Sequence, residues 1–222
     1  MIGLKGGMEM QEKKTVICLV RHGESEANRR DAFLGHGNLE LTEIGRAQAE
    51  MAAAFLVDKG ADAIYSSDLC RAYETAKTTA ALLNLQVVTD PQLREIDAGD
   101  WDFLTFGELR ERFPESFRVW TEDLENAVCD GGESVKQLRE RILSAVTRIA
   151  EENKGKRVLI FSHGTPIRLM GAHAMGKGLG ELPWPANASA TTLEYENGCF
   201  RMVEYSREDY MGELVTKLPD NV

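Results

Sequence analysis

Thr15-Val-Ile-Cys-Leu-Val20 is a β-branched, apolar run that ends abruptly in Arg21-His22-Gly23. Continuous apolarity from Val16 to Val20 suits a strand covered on both faces, as in a parallel sheet, better than one alternating between core and water. Its polar end then falls at the carboxyl end of the strand, where open α/β sheets gather their ligands. The same pattern returns far along the chain, where Arg157 to Phe161 runs into Ser162-His163-Gly164. One histidine at a strand end is best explained as satisfying a buried carbonyl. Two of only four histidines placed alike, with Arg21 attached to one, point to a shared site. A glycine after each would let backbone and ligand approach closely.

Working outward, Ile44 to Val57 carries apolar residues at helical spacing behind Thr42 as cap. Ala61 to Tyr65 reads as a strand, Asp68 as the cap of a helix from Leu69 to Leu83, and Gln86 to Val88 as a third strand. Pro114 divides Leu104 to Asn126 into two short helices. Gly131-Gly132 breaks the chain before a long amphipathic helix, Glu133 to Asn153. Thr191 to Tyr195 and Phe200 to Tyr205 flank Glu196-Asn197-Gly198, a tight-turn signal for a hairpin. Alternating strands and helices predict an α/β fold, a three-layer α-β-α sandwich around a mostly parallel sheet. Residues 1–14 are expected to form a tail and 15–222 a single domain, with a helical lid over about 100–130.

Composition narrows the function classes. At 43% hydrophobic and 28% charged, the 222 residues match an ordinary globular chain with a sizeable core. The apolar runs are far shorter than the roughly 18 residues a membrane span needs, and the N-terminus lacks the pattern of a secretion signal. No membrane association is expected. Four widely spaced cysteines suggest neither a zinc site nor a disulfide framework, so the expected location is cytoplasmic. A net charge of −10 argues against nucleic acid, yet leaves room for a local cationic pocket that takes a small anion.

Five blocks carry a family resemblance: Arg21-His22-Gly23-Glu24-Ser25; Leu41-Thr42 with Gly45 and Gln48; Ser66-Ser67-Asp68-Leu69-Cys70-Arg71-Ala72; Leu93-Arg94-Glu95; and Ser162-His163-Gly164. In this order they resemble the histidine phosphatase superfamily, which includes cofactor-dependent phosphoglycerate mutases. The resemblance implies that His22 attacks phosphorus to give a phosphohistidine. Arg21, Arg71 and His163 would bind the transferred group, and Glu95 would protonate the leaving oxygen. Physical chemistry agrees: the transferred phosphoryl spreads negative charge over three oxygens, and a guanidinium offers a fixed fork of donors. Two adjacent arginines also disfavour the cationic form of His22. Asp97, Asp100 and Asp102 surround Glu95 with an acidic loop.

Further positions carried over from the family are Ser25, Asn28, Gly35, Gly164 and Thr165, which would line the phosphate or substrate. His36 and His173 match no catalytic position and are assigned to surface and helix packing. The expected activity is metal-independent hydrolysis of a small phosphorylated metabolite, without metal or cofactor and with a homodimer left open. One alternative is the mutase branch, but its substrate-gripping tyrosine and lysine are replaced here by Ala98 and Phe106. Gly99-Asp100-Trp101-Asp102, Leu104-Thr105-Phe106 and Gly131-Gly132-Glu133-Ser134 resemble the phosphatase branch instead, with Phe103 standing where that pattern has glycine. The other alternative is a non-catalytic phospholigand-binding module on the same fold. Aromatic residues in the 100–120 segment, Trp101 to Trp120, suit either an organic leaving group or a small core of the lid.

Overall fold

The structure is a computed structural model that describes residues 14–218. Apart from Lys14, the expected tail lies outside the described residues. Strands β1 (Thr15–Arg21), β2 (Ala63–Ser66), β3 (Val87–Thr89), β4 (Arg157–Ser162), β5 (Ala190–Glu196) and β6 (Cys199–Arg207) form one sheet in the order β3-β2-β4-β1-β5-β6. β1, β2, β3 and β4 pair in parallel, whereas β5 runs antiparallel to both β1 and β6. The two histidine-bearing strands are therefore neighbours, with Arg21 in register with Ser162. At the hairpin, Asn197 (φ 51°) and Gly198 (φ 82°) both adopt left-handed conformations, as a two-residue turn matched to strand twist requires.

The helices are α1 (Glu26–Arg29), α2 (Glu43–Val57), α3 (Cys70–Leu83), α4 (Phe106–Arg112), α5 (Pro114–Glu122), α6 (Val135–Glu152) and α7 (Gly164–Met175). Alternation along the central strands sorts the core into two layers. Ile17, Leu19, Val158 and Ile160 share one apolar cluster with residues of α6 and α7. Cys18, Val20, Leu159 and Phe161 share another with Leu56 of α2 and Ala76 and Ala80 of α3. Each large aliphatic or aromatic side chain buried this way contributes roughly 1.5–3 kcal/mol. This three-layer arrangement leaves the carboxyl ends of β1 and β4 as the place where polar residues converge.

Some local expectations need correction. Thr42 does cap α2, its hydroxyl accepting from Gly45 N–H at 2.9 Å. Asp68 does not cap α3: Leu69 precedes that helix, and the Asp68 carboxylate instead takes both ends of the Arg94 guanidinium. Asp102 of the expected acidic loop turns inward, its two carboxylate oxygens accepting from Gly35 N–H at 2.6 Å and Gly37 N–H at 2.9 Å. The aromatic residues of the 100–130 segment form no separate core. Trp101, Phe117 and Trp120 join the same cluster as α6 and α7, with Phe33 packed edge-on to Trp101 and Trp120. Phe103 is the exception, about half exposed and with φ of 69°. The glycine of the family pattern is the residue that takes this conformation without steric cost.

Candidate active site

Backbone geometry aims the His22 ring. Its N–H donates to Ser162 O at 3.0 Å, tying the end of β1 to the end of β4. Ring Nδ1 lies 2.7 Å from Gly23 O. A carbonyl oxygen only accepts, so Nδ1 carries the proton and Nε2 keeps its lone pair. Burial first, then Arg71 and Arg21, hold the His22 pKa well below its ordinary value. His22 is therefore a neutral imidazole with a free nucleophilic nitrogen.

Both arginines are nearly inaccessible, and neither forms an ion pair with a carboxylate among the described residues. Arg21 Nη1 donates to Pro185 O at 2.6 Å. Arg71, in the first turn of α3, donates to Gly37 O at 2.9 Å and Gly35 O at 2.8 Å. Backbone carbonyls thus orient the guanidiniums without neutralising them. Burial pushes each pKa down to about 10, opposed mainly by the charge of Glu95, so both remain cationic at neutral pH.

Glu95 accepts from Ile96 N–H at 2.8 Å through one carboxylate oxygen and from Thr165 N–H at 3.2 Å through the other. Its charge acts on both Arg21 and Arg71. Its own carbonyl is held by Arg141 Nη2 at 3.0 Å and by His36 Nε2 at 3.1 Å. His36, its side chain about 31% exposed, therefore lies at the surface as expected and also braces the Glu95 loop. His173 does pack as expected, edge-on to Phe200 near the end of α7.

A cleft of about 510 Å³ is lined by Arg21, His22, Ser25, Asn28, Arg71, Glu95, Gly164 and Thr165. Two expected site residues are placed behind this surface. His163 is wholly buried, its ring centroid 5.2 Å from that of His22, and its Nε2 is 2.8 Å from Ser67 Oγ. Gly35 does not line the cleft: it orients Arg71 through its carbonyl, and a Cβ there would strike the backbone of Ile96 and Ala98. Ala98 is itself fully buried, whereas Phe106 does form part of the wall. The glycines after the two histidines differ from each other. A Cβ at Gly23 would collide with the Gly45 backbone at the start of α2, while one at Gly164 would meet only ordinary contacts with Arg21 and Trp184.

The sequence reading missed Leu34, Trp184 and Leu218, which complete the wall. Trp184 stacks with Trp120 at 6.2 Å between centroids, and the Arg168 guanidinium lies 4.4 Å from its ring. The apolar spacing around Trp184 and Leu218 carries no signal, because loops far apart in sequence bring them to the cleft.

Comparison with known proteins identifies the family. The model of the histidine phosphatase superfamily (branch 1) matches residues 17–208. A bifunctional protein of Mycobacterium tuberculosis is 40% identical over 169 residues, which cover 76% of this chain and 46% of that protein, so the chain spans about half the relative's length. Phosphoserine phosphatase 1 of Hydrogenobacter thermophilus is 33% identical over 201 residues, covering 89% of this chain and 95% of that one. Among solved structures, a mycobacterial glucosyl-3-phosphoglycerate phosphatase in complex with VO3 superposes with a TM-score of 0.81 at 30% identity, covering 87% of this chain and 99% of that one. With the paired His-Gly strand ends, the two buried arginines and Glu95 facing one cleft, and with a family model spanning most of its length, the chain belongs to branch 1 of the histidine phosphatase superfamily.

Proposed function

We propose that this chain is a phosphomonoester hydrolase that works through a phosphohistidine at His22 and needs no metal, acting on a small phosphorylated metabolite. The observation that carries the reading is the His22 ring: Nδ1 donates to Gly23 O, and burial with two guanidiniums keeps the ring neutral, so Nε2 has a lone pair at the cleft. The relatives named as phosphatases support the same reading.

In the first half of the reaction, Nε2 attacks phosphorus in line as the P–O bond to the leaving group breaks. Glu95 delivers a proton to the departing oxygen. Arg21 and Arg71 stabilise charge on the equatorial oxygens, in the role a metal ion plays in other phosphoryl-transfer sites. Among the described residues Arg21 Nε and His163 Nδ1 are buried polar atoms with no hydrogen-bond partner, and a phosphoryl oxygen in the cleft that Arg21 lines would satisfy the first. In the second half, Glu95 takes a proton from water, which attacks phosphorus and releases His22 unchanged.

Hydrolysis is favoured over phosphate return to a bound acid by the wall of the cleft. Among the described residues that line it, the arginines are Arg21 and Arg71, and the leaving-group side is Phe33, Leu34, Phe106, Trp120, Trp184 and Leu218. Such a surface offers little to hold a carboxylate and a second phosphate. Rapid quenching with a radiolabelled ester tests the proposal: acid-labile, base-stable label should appear on His22. Undiminished turnover in His22→Ala, or turnover abolished by chelation and restored by a divalent ion, would overturn it.

A further inference from the structure

Asn187 lies in the connection between α7 and β5, is 2% exposed, and has no part in the reaction just described. Its Nδ2 donates to His22 O at 3.2 Å and to Asn28 Oδ1 at 3.2 Å. Its Oδ1 accepts from Thr216 Oγ1 at 3.3 Å, and its backbone N–H donates to Thr216 O at 3.0 Å. The next residue, Ala188, has φ of 56° and donates its own N–H to His22 O at 3.1 Å. A non-glycine residue held in the left-handed region is strained and persists where its surroundings over-determine it.

The Asn28 amide shows what this arrangement achieves. Ser25 N–H donates to Asn28 Oδ1 at 3.0 Å, which identifies that atom as the acceptor end of the amide. Ser25 Oγ donates to the same oxygen at 2.9 Å, and Asn187 Nδ2 is the third donor. With the oxygen held on this side, the NH2 end is left for the cleft that Asn28 lines. A phosphoryl oxygen would meet two N–H donors there, whereas a turned amide would present it with a lone pair.

We propose that Asn187 is a positioning residue: one side chain fixes the orientation of the Asn28 amide toward the phosphoryl group and holds the carbonyl of His22. Through Thr216 it also anchors the C-terminal segment whose Leu218 closes the wall. The inference rests on the phosphoryl-binding reading of the cleft. It predicts that Asn187 acts on phosphate through Asn28, without touching it.

The test measures inorganic phosphate affinity by calorimetry, alongside kcat and KM for an ester, in the full chain. Asn187→Ala should weaken phosphate binding about tenfold, as expected for losing orientation of one donor to a charged ligand. Asn187→Asp, which keeps the shape but sets a carboxylate against two acceptor oxygens, should weaken it further, to about a hundredfold. In the Asn28→Ala background the Asn187→Ala loss should largely disappear, since residues acting as one unit are not additive. Full additivity, unchanged phosphate affinity in folded Asn187→Ala, or failure of both Asn187 variants to fold would overturn the proposal. Because phosphate binding is read without turnover, a wild-type chain that binds phosphate but hydrolyses no ester would sink the hydrolase reading alone.

Discussion

The ends of β1 and β4 carry the same His-Gly pair, lie side by side in the sheet, and yet hold their histidines in different ways. At the end of β1, His22 uses Nδ1 on the carbonyl of Gly23 and keeps Nε2 at the cleft. At the end of β4, His163 meets Ser67 through Nε2, is fully buried, and leaves Nδ1 without a partner among the described residues. A shared sequence signal therefore encodes a shared location, while the hydrogen bond each ring makes to its own surroundings decides its chemistry. The first geometry suits a nucleophile. The second suits a fixed donor that stiffens the floor of the site.

The largest test of that contrast removes each ring in turn. His22→Ala should lower kcat by on the order of 10⁴ or more, the scale seen when a nucleophile is deleted. His163→Ala should cost on the order of 10²–10³, the scale of one preorganised donor, and should still accumulate labelled phosphohistidine under quench conditions. Trapped phosphate in the His22 variant, or none in the His163 variant, would reverse the assignment. Glu95→Gln should come next: about a 10²-fold loss with alkyl phosphates, and a much smaller one with nitrophenyl phosphate, whose leaving group needs little protonation. Equal losses with both esters would remove Glu95 from proton delivery.

A pH series probes what the two rings share. Burial comes first among the causes that depress both pKa values; the arginines add to it in each case, and His22 further depresses His163. In the unfolded chain each ring takes a proton near pH 6.5. The folded chain resists until lower pH, so the unfolded state binds more protons and stability falls as pH drops below about 6.5. The expected slope is about 1.4 kcal/mol per pH unit for each ring, down to the depressed folded-state pKa. Urea midpoints at pH 7.5 and 5.5 measure it; midpoints that do not move would show that the rings are charged in the folded state. The smallest effect concerns the wall. Phe106→Lys should improve KM for esters with an acidic leaving group about fivefold relative to neutral ones, the scale of one partly screened ion pair. An unchanged ratio would separate Phe106 from the bound leaving group.

How much of this could be read from the residues depends on where the information lies. The central strands announced themselves by continuous apolarity, and α2 and α6 by helical spacing behind capping residues. α7 escaped because Gly164 to Ala172 is buried all round, which erases the amphipathic stripe that marks a helix. Arg21, His22, Arg71 and Glu95 were legible through their blocks, and the cleft brings them together. Their supports were not. Arg141 reaches Glu95 from α6, Asn187 reaches His22 from the connection before β5, and Asp102 holds the loop that orients Arg71. Each of these is a single polar residue whose partner lies tens of positions away or more, and local pattern contains nothing about that distance. Phe103 shows a departure from pattern whose meaning only the fold supplies: the position that is glycine in the phosphatase pattern has φ of 69°.

The contact between Gly23 and Gly45 limits how this site can change over evolutionary time. A Cβ at Gly23 would meet the backbone of Gly45, and a Cβ at Gly45 would meet the backbone of Glu24. When a clash involves two side chains, a second mutation can shrink one of them and restore the fit. Here the obstacle on each side is main chain, so no change at the partner position opens space. Side chains such as Leu34, Trp184 and Leu218 are under no such constraint, since they border the cleft without fixing the distance between the His22 loop and the first turn of α2.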